Sequence, residues 1–224
     1  MKIAIIPARG GSKRIKNKNI KLFLKKPIIL FTINILRKMN YFNKIFVSTD
    51  SKKIMNICKN QGINEIILRP KKLGHHKITT NKVINHAIRS LEKNYNFKYV
   101  CCVYPCNPFL NKKNITKSFK MIRNKQDLVF PLSEYSVPIQ KAIYLRRDKV
   151  NHFNKSSIKK NTQEFEKSYH DAGQFYWSKS NSWKNKPILF SSLSIPFIIP
   201  NYEVVDIDNI DDWKRAERMI KYLD

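Results

Sequence analysis

The feature of this sequence that most constrains its fold is a regular alternation between short apolar runs and longer amphipathic stretches. Lys2–Ala8 and Lys98–Tyr104 are apolar runs of strand type, whereas Thr80–Lys93 repeats its apolar residues at helical spacing. A βαβα succession of this kind predicts a mainly parallel sheet with helices on both faces. We therefore expect an α/β fold with a doubly wound sheet, in which ligands bind beyond the carboxyl ends of the strands.

The predicted elements cover most of the chain. The predicted strands are Lys2–Ala8, Lys44–Ser48, Glu65–Leu68, Lys98–Tyr104, Asp127–Leu132, Gly173–Trp177 and Val204–Ile207. The predicted helices are Lys26–Met39, Ser51–Asn60, Thr80–Lys93, Lys112–Arg123 and Ile210–Leu223. The alternation breaks after Leu132, where a polar region with one short strand-like piece, Ala142–Leu145, begins. We expect a single domain over residues 1–224, with an arm inserted at about 134–172.

Charge is the most extreme property of the composition. The chain has 44 Lys and Arg against 16 Asp and Glu, a net charge of +28. Such an excess makes nucleic-acid binding an alternative, because clustered cations release counterions from phosphates. The basic residues are spread along the chain, however, and no recognition helix, zinc module or stacking-aromatic signature accompanies them. We expect no dedicated nucleic-acid binding, but a general attraction for anionic substrates.

Two further classes are disfavoured by the sequence. No apolar stretch approaches the roughly 20 residues of a membrane span, and no secretory cleavage site follows the first strand. We therefore expect a soluble cytoplasmic protein with no membrane partner. The cysteines lack zinc-finger spacing and are interpreted as buried or half-buried free thiols. They are Cys58, Cys101, Cys102 and Cys106.

The first strand ends in a basic, glycine-rich segment, Pro7–Arg14. Two glycines let the backbone turn with its N–H groups exposed, which forms a concavity that binds anions. Arg9, Lys13 and Arg14 add positive charge around it. The spacing fits neither a Walker A loop nor a dinucleotide-binding fingerprint. We predict a phosphate-binding loop, with a solvated basic turn as the alternative.

Two aspartates near the end of the chain, Asp206 and Asp208, are separated by one residue. On a strand, both carboxylates would point to the same face and could bind one cation. Oxygen ligands of this kind suit Mg²⁺, which also binds substrate phosphates. A polar strand end that faces solvent is the alternative. Because the chain is poor in acidic residues, we predict a metal site here.

Several segments, taken in order, resemble one family. Ile5–Arg14, with Lys18–Ile20 and Lys26–Ile28, is similar to the opening of the CMP-sugar synthetases, the cytidylyltransferases of sialic, legionaminic and pseudaminic acids. Later segments fall where that family has its next blocks, namely Val47–Asp50, Arg69–Pro70, Tyr104–Phe109, Val205–Asp208 and Asp212–Trp213. The similarity covers essentially the whole chain. It implies a Rossmann-like nucleotidyltransferase fold, with CTP and a nine-carbon acidic sugar as substrates.

The resemblance also implies roles for individual residues. The nucleotide-binding residues would be Ala8, Arg9, Gly10, Gly11, Ser12, Lys13, Asn19, Arg69, Thr80 and Tyr104. The catalytic residues would be Arg9, Lys13 and Asp208, with Mg²⁺ on Asp206 and Asp208 stabilising charge as a sugar hydroxyl attacks the α-phosphorus of CTP. Tyr104 stands where the sialic acid enzymes have a glutamine and related sugar nucleotidyltransferases a metal-binding aspartate; tyrosine is a poor Mg²⁺ ligand, so the choice between one and two metal ions stays open. No general base is evident.

The blocks Pro138–Gln140 and Tyr169–Trp177 most resemble the pseudaminic acid enzymes. That likeness implies a sugar pocket lined by Gln140, Tyr169, His170, Asp171 and Gln174. In this family the arm forms a homodimer; a flexible surface insertion is the alternative. Use of sialic, legionaminic or a shorter ulosonic acid also stays open, because sugar choice depends on pocket shape. A degenerate relative that binds nucleotide without turnover is disfavoured, since the basic loop and both aspartates are intact.

Overall fold

The computed structural model describes residues 1–123, 128–185, 191 and 194–222, and it forms an α/β fold. The strands are β1 Lys2–Pro7, β2 Leu22–Phe23, β3 Lys26–Pro27, β4 Lys44–Thr49, β5 Ile66–Leu68, β6 Tyr99–Val103, β7 Leu128–Glu134, β8 Ile143–Arg146, β9 Lys149–His152, β10 Tyr169–Asp171, β11 Phe175–Lys179 and β12 Ser194–Ile198. The helices are α1 Ile28–Lys38, α2 Lys52–Lys59, α3 Thr80–Leu91, α4 Lys112–Phe119, α5 Ser180–Lys184 and α6 Ile210–Lys221. Among the described residues, no helix is long and apolar enough to cross a membrane.

The central sheet has the strand order β10-β7-β11-β6-β1-β4-β5, and β12 also pairs with β7. The part from β6 to β5 is parallel, whereas β11 runs antiparallel to both β6 and β7. β12 is parallel to β7, and β10 is antiparallel to it. The predicted mainly parallel α/β sheet is confirmed, with antiparallel strands added on one side.

Side chains of β1 show why both faces need helices. Ala4 and Ile6 are buried in one apolar cluster and Ile3 and Ile5 in another, all fully inaccessible. The first cluster includes residues of α1, α2 and α4, and the second includes residues of α3. Alternate residues of a strand point to opposite faces, so a run without polar residues requires a cover on each side. The sheet is therefore doubly wound, as predicted.

Helix starts follow side-chain caps that the sequence supplies. Ser51, Thr79 and Asn111 accept hydrogen bonds from the backbone of the first turns of α2, α3 and α4. Asn209 does the same for α6, where Asp212 bonds back to the Asn209 backbone and completes a capping box. These caps fix where the helices begin beside the ligand edge of the sheet.

Some predicted boundaries are wrong. Val204–Ile207 is not a strand: it follows a 3-10 turn at Asn201–Glu203 and pairs with no strand among the described residues. Helix α1 begins at Ile28, not Lys26, because Lys26–Pro27 pairs with Leu22–Phe23. The predicted ends at Asp127 and Leu223 lie outside the described residues.

The chain between β7 and β10 leaves the main sheet. Its hairpin of β8 and β9 forms a separate two-stranded sheet. Leu145, Val150 and Phe153 are 70%, 60% and 72% exposed there. This segment thus presents apolar side chains away from the core of its own domain.

Candidate active site

A cleft of about 370 Å³ lies at the carboxyl ends of β1, β5 and β6. This is the position at which parallel α/β sheets bind ligands. The predicted nucleotide residues that line it are Arg9, Ser12, Asn19, Arg69, Thr80 and Tyr104. Arg14, Lys18, His75, His76, Cys106, Gly173 and Asp206 also line it. The cleft is mainly basic and polar, as a site for a charged ligand requires.

The glycine-rich loop is fixed against the end of β4. The Gly10 N–H donates to Asp50 Oδ1 at 3.1 Å, so this amide is already used within the protein. A Cβ at Gly10 would lie 2.9 Å from the Cβ of Ser51, whereas a Cβ at Gly11 would meet nothing within 4 Å. Close packing therefore requires glycine at position 10 but not at position 11. Ala8 is fully buried and supports the loop from the core.

Arg69 forms a buried ion pair behind the cleft. The residue is 4% exposed, and its Nη2 lies 3.3 Å from Asp50 Oδ1 while Nη1 donates to Ser48 O. Its Nε is buried without a partner in the described part of the chain. A Cβ on Gly74 would overlap the Asp50 carboxylate. Asp50 thus connects the glycine-rich loop, Arg69 and the turn at Gly74.

Asn19 has both polar groups engaged within the protein. Its Nδ2 donates to Arg9 O at 2.8 Å, and its Oδ1 accepts from the Cys106 thiol at 3.1 Å. Asn19 is 7% exposed, and burial raises the pKa of the Cys106 thiol to about 12, so this thiol remains protonated. Asn19 therefore holds the backbone of the glycine-rich loop in place.

A series of hydroxyl groups runs from the cleft into the domain. Thr80 Oγ1 and the Tyr104 hydroxyl are 2.9 Å apart, and Tyr104 and Tyr176 also interact through their hydroxyls. The Tyr176 hydroxyl donates to Asp171 Oδ2, and the Gly173 N–H donates to Asp171 Oδ1 at 2.9 Å. Burial raises the pKa of Tyr104 to about 12 and also raises the pKa of Asp171. The Asp171 carboxylate is thus occupied by protein donors.

The other predicted sugar residues lie outside the cleft lining. His170 contacts the Tyr135 ring at 4.9 Å, on the side opposite Asp171, as expected for consecutive strand residues. Tyr169 is 40% exposed. Gln174 is 2% exposed, and its Nε2 donates to Glu203 O at 2.6 Å. Only Gly173 from this block lines the cleft among the described residues.

Gln140 and Gln174 share one unusual property. The side-chain carbonyl oxygen of each is buried and has no hydrogen-bond partner within the described ranges. Gln140 lies in the 3-10 turn Ile139–Lys141, and its backbone oxygen accepts from Ser157. Both oxygens are inaccessible to solvent, and buried acceptors are rarely left unpaired, so each is an exception to the usual pairing.

Asp206 and Asp208 lie on the same side of an extended segment without being in a strand. Val205 and Ile207, which alternate with them along the chain, are buried, so the aspartates face the other way. Arg14 Nη1 lies 2.7 Å from Asp208 Oδ2, and Lys18 Nζ lies 3.6 Å from Asp208 Oδ1. Burial, followed by repulsion from Asp208, raises the pKa of Asp206. No cluster of three or more His, Cys, Asp or Glu able to hold a metal occurs among the residues described.

Comparison with known proteins bears on what this cleft does. A family model described as cytidylyltransferase matches residues 3–199. A pseudaminic acid cytidylyltransferase of Campylobacter jejuni is 35% identical over 222 residues, 98% of this chain and 96% of that protein. The chain belongs to the cytidylyltransferase family.

More distant cytidylyltransferases agree with this assignment. An N-acylneuraminate cytidylyltransferase of Escherichia coli is 27% identical over 96% of this chain, which spans 51% of that protein. A solved CMP:2-keto-3-deoxy-manno-octonic acid synthetase complexed with CTP has a TM-score of 0.72 at 13% identity, with 99% of each chain covered. The family and the nucleotidyltransferase fold predicted from the sequence are both confirmed.

The cytidylyltransferase cleft also contains residues that the sequence analysis missed. The rings of His75 and His76 lie 4.1 Å apart at its wall, and Cys106 reaches it beside Asn19. Their only signal in the sequence was position, since they stand between Arg69 and Thr80 or directly after Tyr104. All four cysteines are free, as predicted; Cys58, Cys101 and Cys102 are buried, while Cys106 is partly accessible.

Proposed function

We propose that the protein joins CMP from CTP to pseudaminic acid, which yields CMP-pseudaminic acid and pyrophosphate. The observation that carries this proposal is the 35% identity, over nearly the full length of both chains, to a pseudaminic acid cytidylyltransferase. The cleft supports it, because basic side chains from the glycine-rich loop and a carboxylate of the Asp206 pair line the same cavity. Its volume of about 370 Å³ is within the usual size of small-molecule sites.

The nucleotide would bind at the basic side of the cleft. Arg9 and Lys13 would pair with the triphosphate, while Asn19 and Asp50 hold the loop that presents them. The Gly11 and Ser12 amides remain candidates for phosphate oxygens, whereas the Gly10 amide is bonded to Asp50. In the reaction, a bond forms between a sugar hydroxyl oxygen and the α-phosphorus, and the bond to the β-phosphate oxygen breaks. Charge and positioning at this end therefore provide most of the catalysis.

Asp206 and Asp208 fit Mg²⁺ by the chemistry of their donor atoms. They offer carboxylate oxygens only, and the repulsion that raises the pKa of Asp206 would be relieved by a cation. Two protein carboxylates suffice when substrate phosphates and water complete the shell. When bound there, Mg²⁺ would supply positive charge for the phosphates and lower the pKa of the attacking hydroxyl. Arg14 and Lys18, already paired with Asp208, would then be free to contact phosphate.

The sugar would bind toward β10 and β11, beyond Gly173. The block Tyr169–Trp177 supports this placement, because it resembles the pseudaminic acid enzymes and its Gly173 lines the cleft. Tyr169 and His170 lie on β10, which pairs with β7, and would complete the pocket. Asp171 would not contact the sugar directly; it would orient the Tyr176 hydroxyl, which in turn bonds to Tyr104.

The exposed hairpin supports a homodimer. Leu145 and Val150 are exposed cross-strand neighbours, and the exposed Phe153 packs on Tyr144; a second copy of the arm region, residues 134–172, would cover these apolar side chains. In such a dimer the partner's arm would approach the sugar end of the cleft. We place the enzyme in the cytoplasm, in the compartment that supplies CTP.

The choice of sugar is tested with a pyrophosphate-release assay at one fixed CTP concentration. We expect pseudaminic acid to be used with kcat/KM at least about a hundredfold above that for sialic acid, because unpaired buried polar groups reject mismatched analogues strongly. Legionaminic acid and an eight-carbon ulosonic acid complete the panel. Equal or better use of sialic acid would refute the sugar assignment but leave cytidylyl transfer intact, whereas no release with any sugar would refute the proposed reaction.

Arg9→Ala and Lys13→Ala are expected to lower kcat/KM for CTP by roughly ten- to a hundredfold each, since each removes a charge-assisted phosphate contact. The melting temperature of the ligand-free protein should stay unchanged, because Lys13 is exposed and Arg9 only half-buried. Lys16→Ala is the matched control: Lys16 is exposed on the same loop, and its charge is not among those that act on the cleft residue His76, whereas the charges of Lys13 and Arg9 are. A lower melting temperature with unaltered CTP kinetics would mean that these residues have a structural role only.

A further inference from the structure

One part of the cleft wall is formed by two adjacent imidazoles, which the sequence analysis did not assign to the site. His75 and His76 follow the turn at Lys71–Gly74, and both rings line the cavity together with Arg9 and Ser12. Their centroids are 4.1 Å apart. Both residues are exposed, so neither ring is part of the core.

The surroundings of this pair are almost entirely cationic. The charges that act on His76 are those of Lys13, His75 and Arg9. The Asp50 carboxylate lies against Gly74, just before this pair, and is already bonded to Arg69 and the Gly10 amide. Partial desolvation and then these positive charges lower the pKa of His76, so it is mostly neutral at neutral pH without a ligand.

The hydrogen bonding of His75 defines its tautomer. Its Nδ1 accepts from the Lys77 backbone N–H at 3.3 Å, so the proton of the neutral ring is on Nε2. That Nε2–H is a donor for a ligand in the cleft. The two rings therefore offer donors without a fixed charge, next to a loop whose arginine and lysine have one.

We infer that His75 and His76 form an anion site for the terminal phosphates of the nucleotide, the pair of phosphates that leaves as pyrophosphate. This inference deepens the proposed function, on which it rests. Asp206, which also lines the cleft, is acted on by the charges of Lys18 and Arg14, which are not among those that act on His76, so it belongs to another part of the lining that suits the α-phosphate and the metal. The charges of Arg9 and Lys13 that act on His76 are positive, which suits the most negative part of the ligand.

This arrangement couples binding of the terminal phosphates to protonation of His76. A polyphosphate between Arg9, Lys13 and the imidazoles replaces repulsion with attraction, so the pKa of His76 rises on binding. Protonation and binding are thus linked: binding is strengthened as pH falls through the pKa of the bound state, and the gain is absent above it. At neutral pH the protein takes up a proton with the ligand and releases it when pyrophosphate leaves.

The test is calorimetric titration of three ligands, inorganic pyrophosphate, CTP and CMP, into the full-length protein at pH 6 and pH 8. Variants His75→Gln, His76→Gln and the double variant are compared with wild type. His152→Gln is the matched control, because His152 lies in β9 of the exposed hairpin. Each titration is repeated in two buffers of different ionisation enthalpy, which gives the number of protons taken up. Subtraction of the double variant removes the titration of the phosphates themselves.

For pyrophosphate and CTP, we expect the double variant to bind at least about tenfold more weakly at pH 6, with a smaller loss at pH 8. Proton uptake should fall in the variants relative to wild type. CMP, which lacks the terminal phosphates, should bind wild type and variants equally. His152→Gln should behave as wild type, and unchanged melting temperatures of the single variants would exclude misfolding.

Equal pyrophosphate affinities in wild type and double variant, or no pyrophosphate binding to wild type, would overturn the inference. An equal loss for CMP would also overturn it, because the imidazoles would then act at the α-phosphate or the nucleoside. The proposed function fails separately: histidine-dependent binding of CTP and pyrophosphate without turnover of any acidic sugar would leave the anion site standing and remove the reaction.

Discussion

Replacing Asp206 or Asp208 by asparagine is expected to lower kcat by roughly a thousandfold, the loss that follows when several kcal/mol of metal-dependent charge stabilisation is removed. Asparagine keeps the size and one oxygen of each side chain but removes the negative charge that holds Mg²⁺. The fold should be retained: Asp208 pairs with Arg14, whose side chain is 70% exposed, and such surface pairs contribute little stability.

Asp211→Asn is the matched control for this experiment. Asp211 is an exposed carboxylate in the first turn of α6, close in sequence, and unlike Asp208 it is not among the charges that act on Asp206. It should leave kcat near the wild-type value. Initial rates of pyrophosphate release, with Mg²⁺ titrated for each variant, provide the measurement. Undiminished activity of wild type in excess chelator, or of Asp206→Asn at any Mg²⁺ concentration, would rule out a metal site on these residues.

The second large effect concerns stability. Arg69→Ala is expected to lower the free energy of unfolding of the ligand-free protein by about 3 kcal/mol, because it leaves the Asp50 carboxylate with one protein donor in a largely buried position. The side chains of Arg69 and Asp50 are 2% and 16% exposed. Asp50→Ala should cost a similar amount, and it should also raise the KM for CTP by releasing the Gly10 amide.

A double-mutant cycle separates this pair from its surroundings. The variant with both alanines should be less destabilised than the sum of the single variants, since no charge is then left unpaired. Urea denaturation monitored by tryptophan fluorescence gives the three free energies. Lys44→Ala is the control, because the Lys44–Glu65 pair lies at the other end of the same two strands, β4 and β5, and its side chains are 35% and 36% exposed. That change should cost about 1 kcal/mol or less. Strict additivity in the Asp50–Arg69 cycle would show that the two side chains do not stabilise each other.

Much of the fold could be predicted because the parallel strands are buried on both faces and are therefore nearly continuous apolar runs in the sequence. Lys44–Thr49 and Tyr99–Val103 differ by one or two residues from the predicted ranges. Val204–Ile207 was wrong for a physical reason: alternation shows which side chains are buried, but it does not show whether a neighbouring backbone is available for pairing. Strands β10 and β12 were missed because β10 is a polar segment of three residues and β12 contains a proline, so neither has the apolar pattern of a buried strand.

For the site, the motifs predicted which residues gather at the cleft but not what each one contacts. Asn19 was predicted to touch the nucleotide, yet both of its polar groups bond to the protein. The ion pair of Arg69 with Asp50 connects the ends of β4 and β5, and no pattern along the chain predicts it. His75 and His76 belong to no periodic element, so only their position in three dimensions reveals a common wall.

The contact between Asp50 and Gly74 has a consequence for how this chain can diverge. The carboxylate fills the space in which any side chain at position 74 would begin, so the two positions compete for one volume. Among related sequences, an aspartate at position 50 should coincide with glycine at position 74, and a larger residue at 74 should coincide with a smaller one at 50. A larger residue at position 74 is not accessible alone without strain in the turn before His75, and loss of the Asp50 side chain alone leaves Arg69 without its ion-pair partner. Mutational paths that alter the rim of the cleft must therefore pass through both sites together.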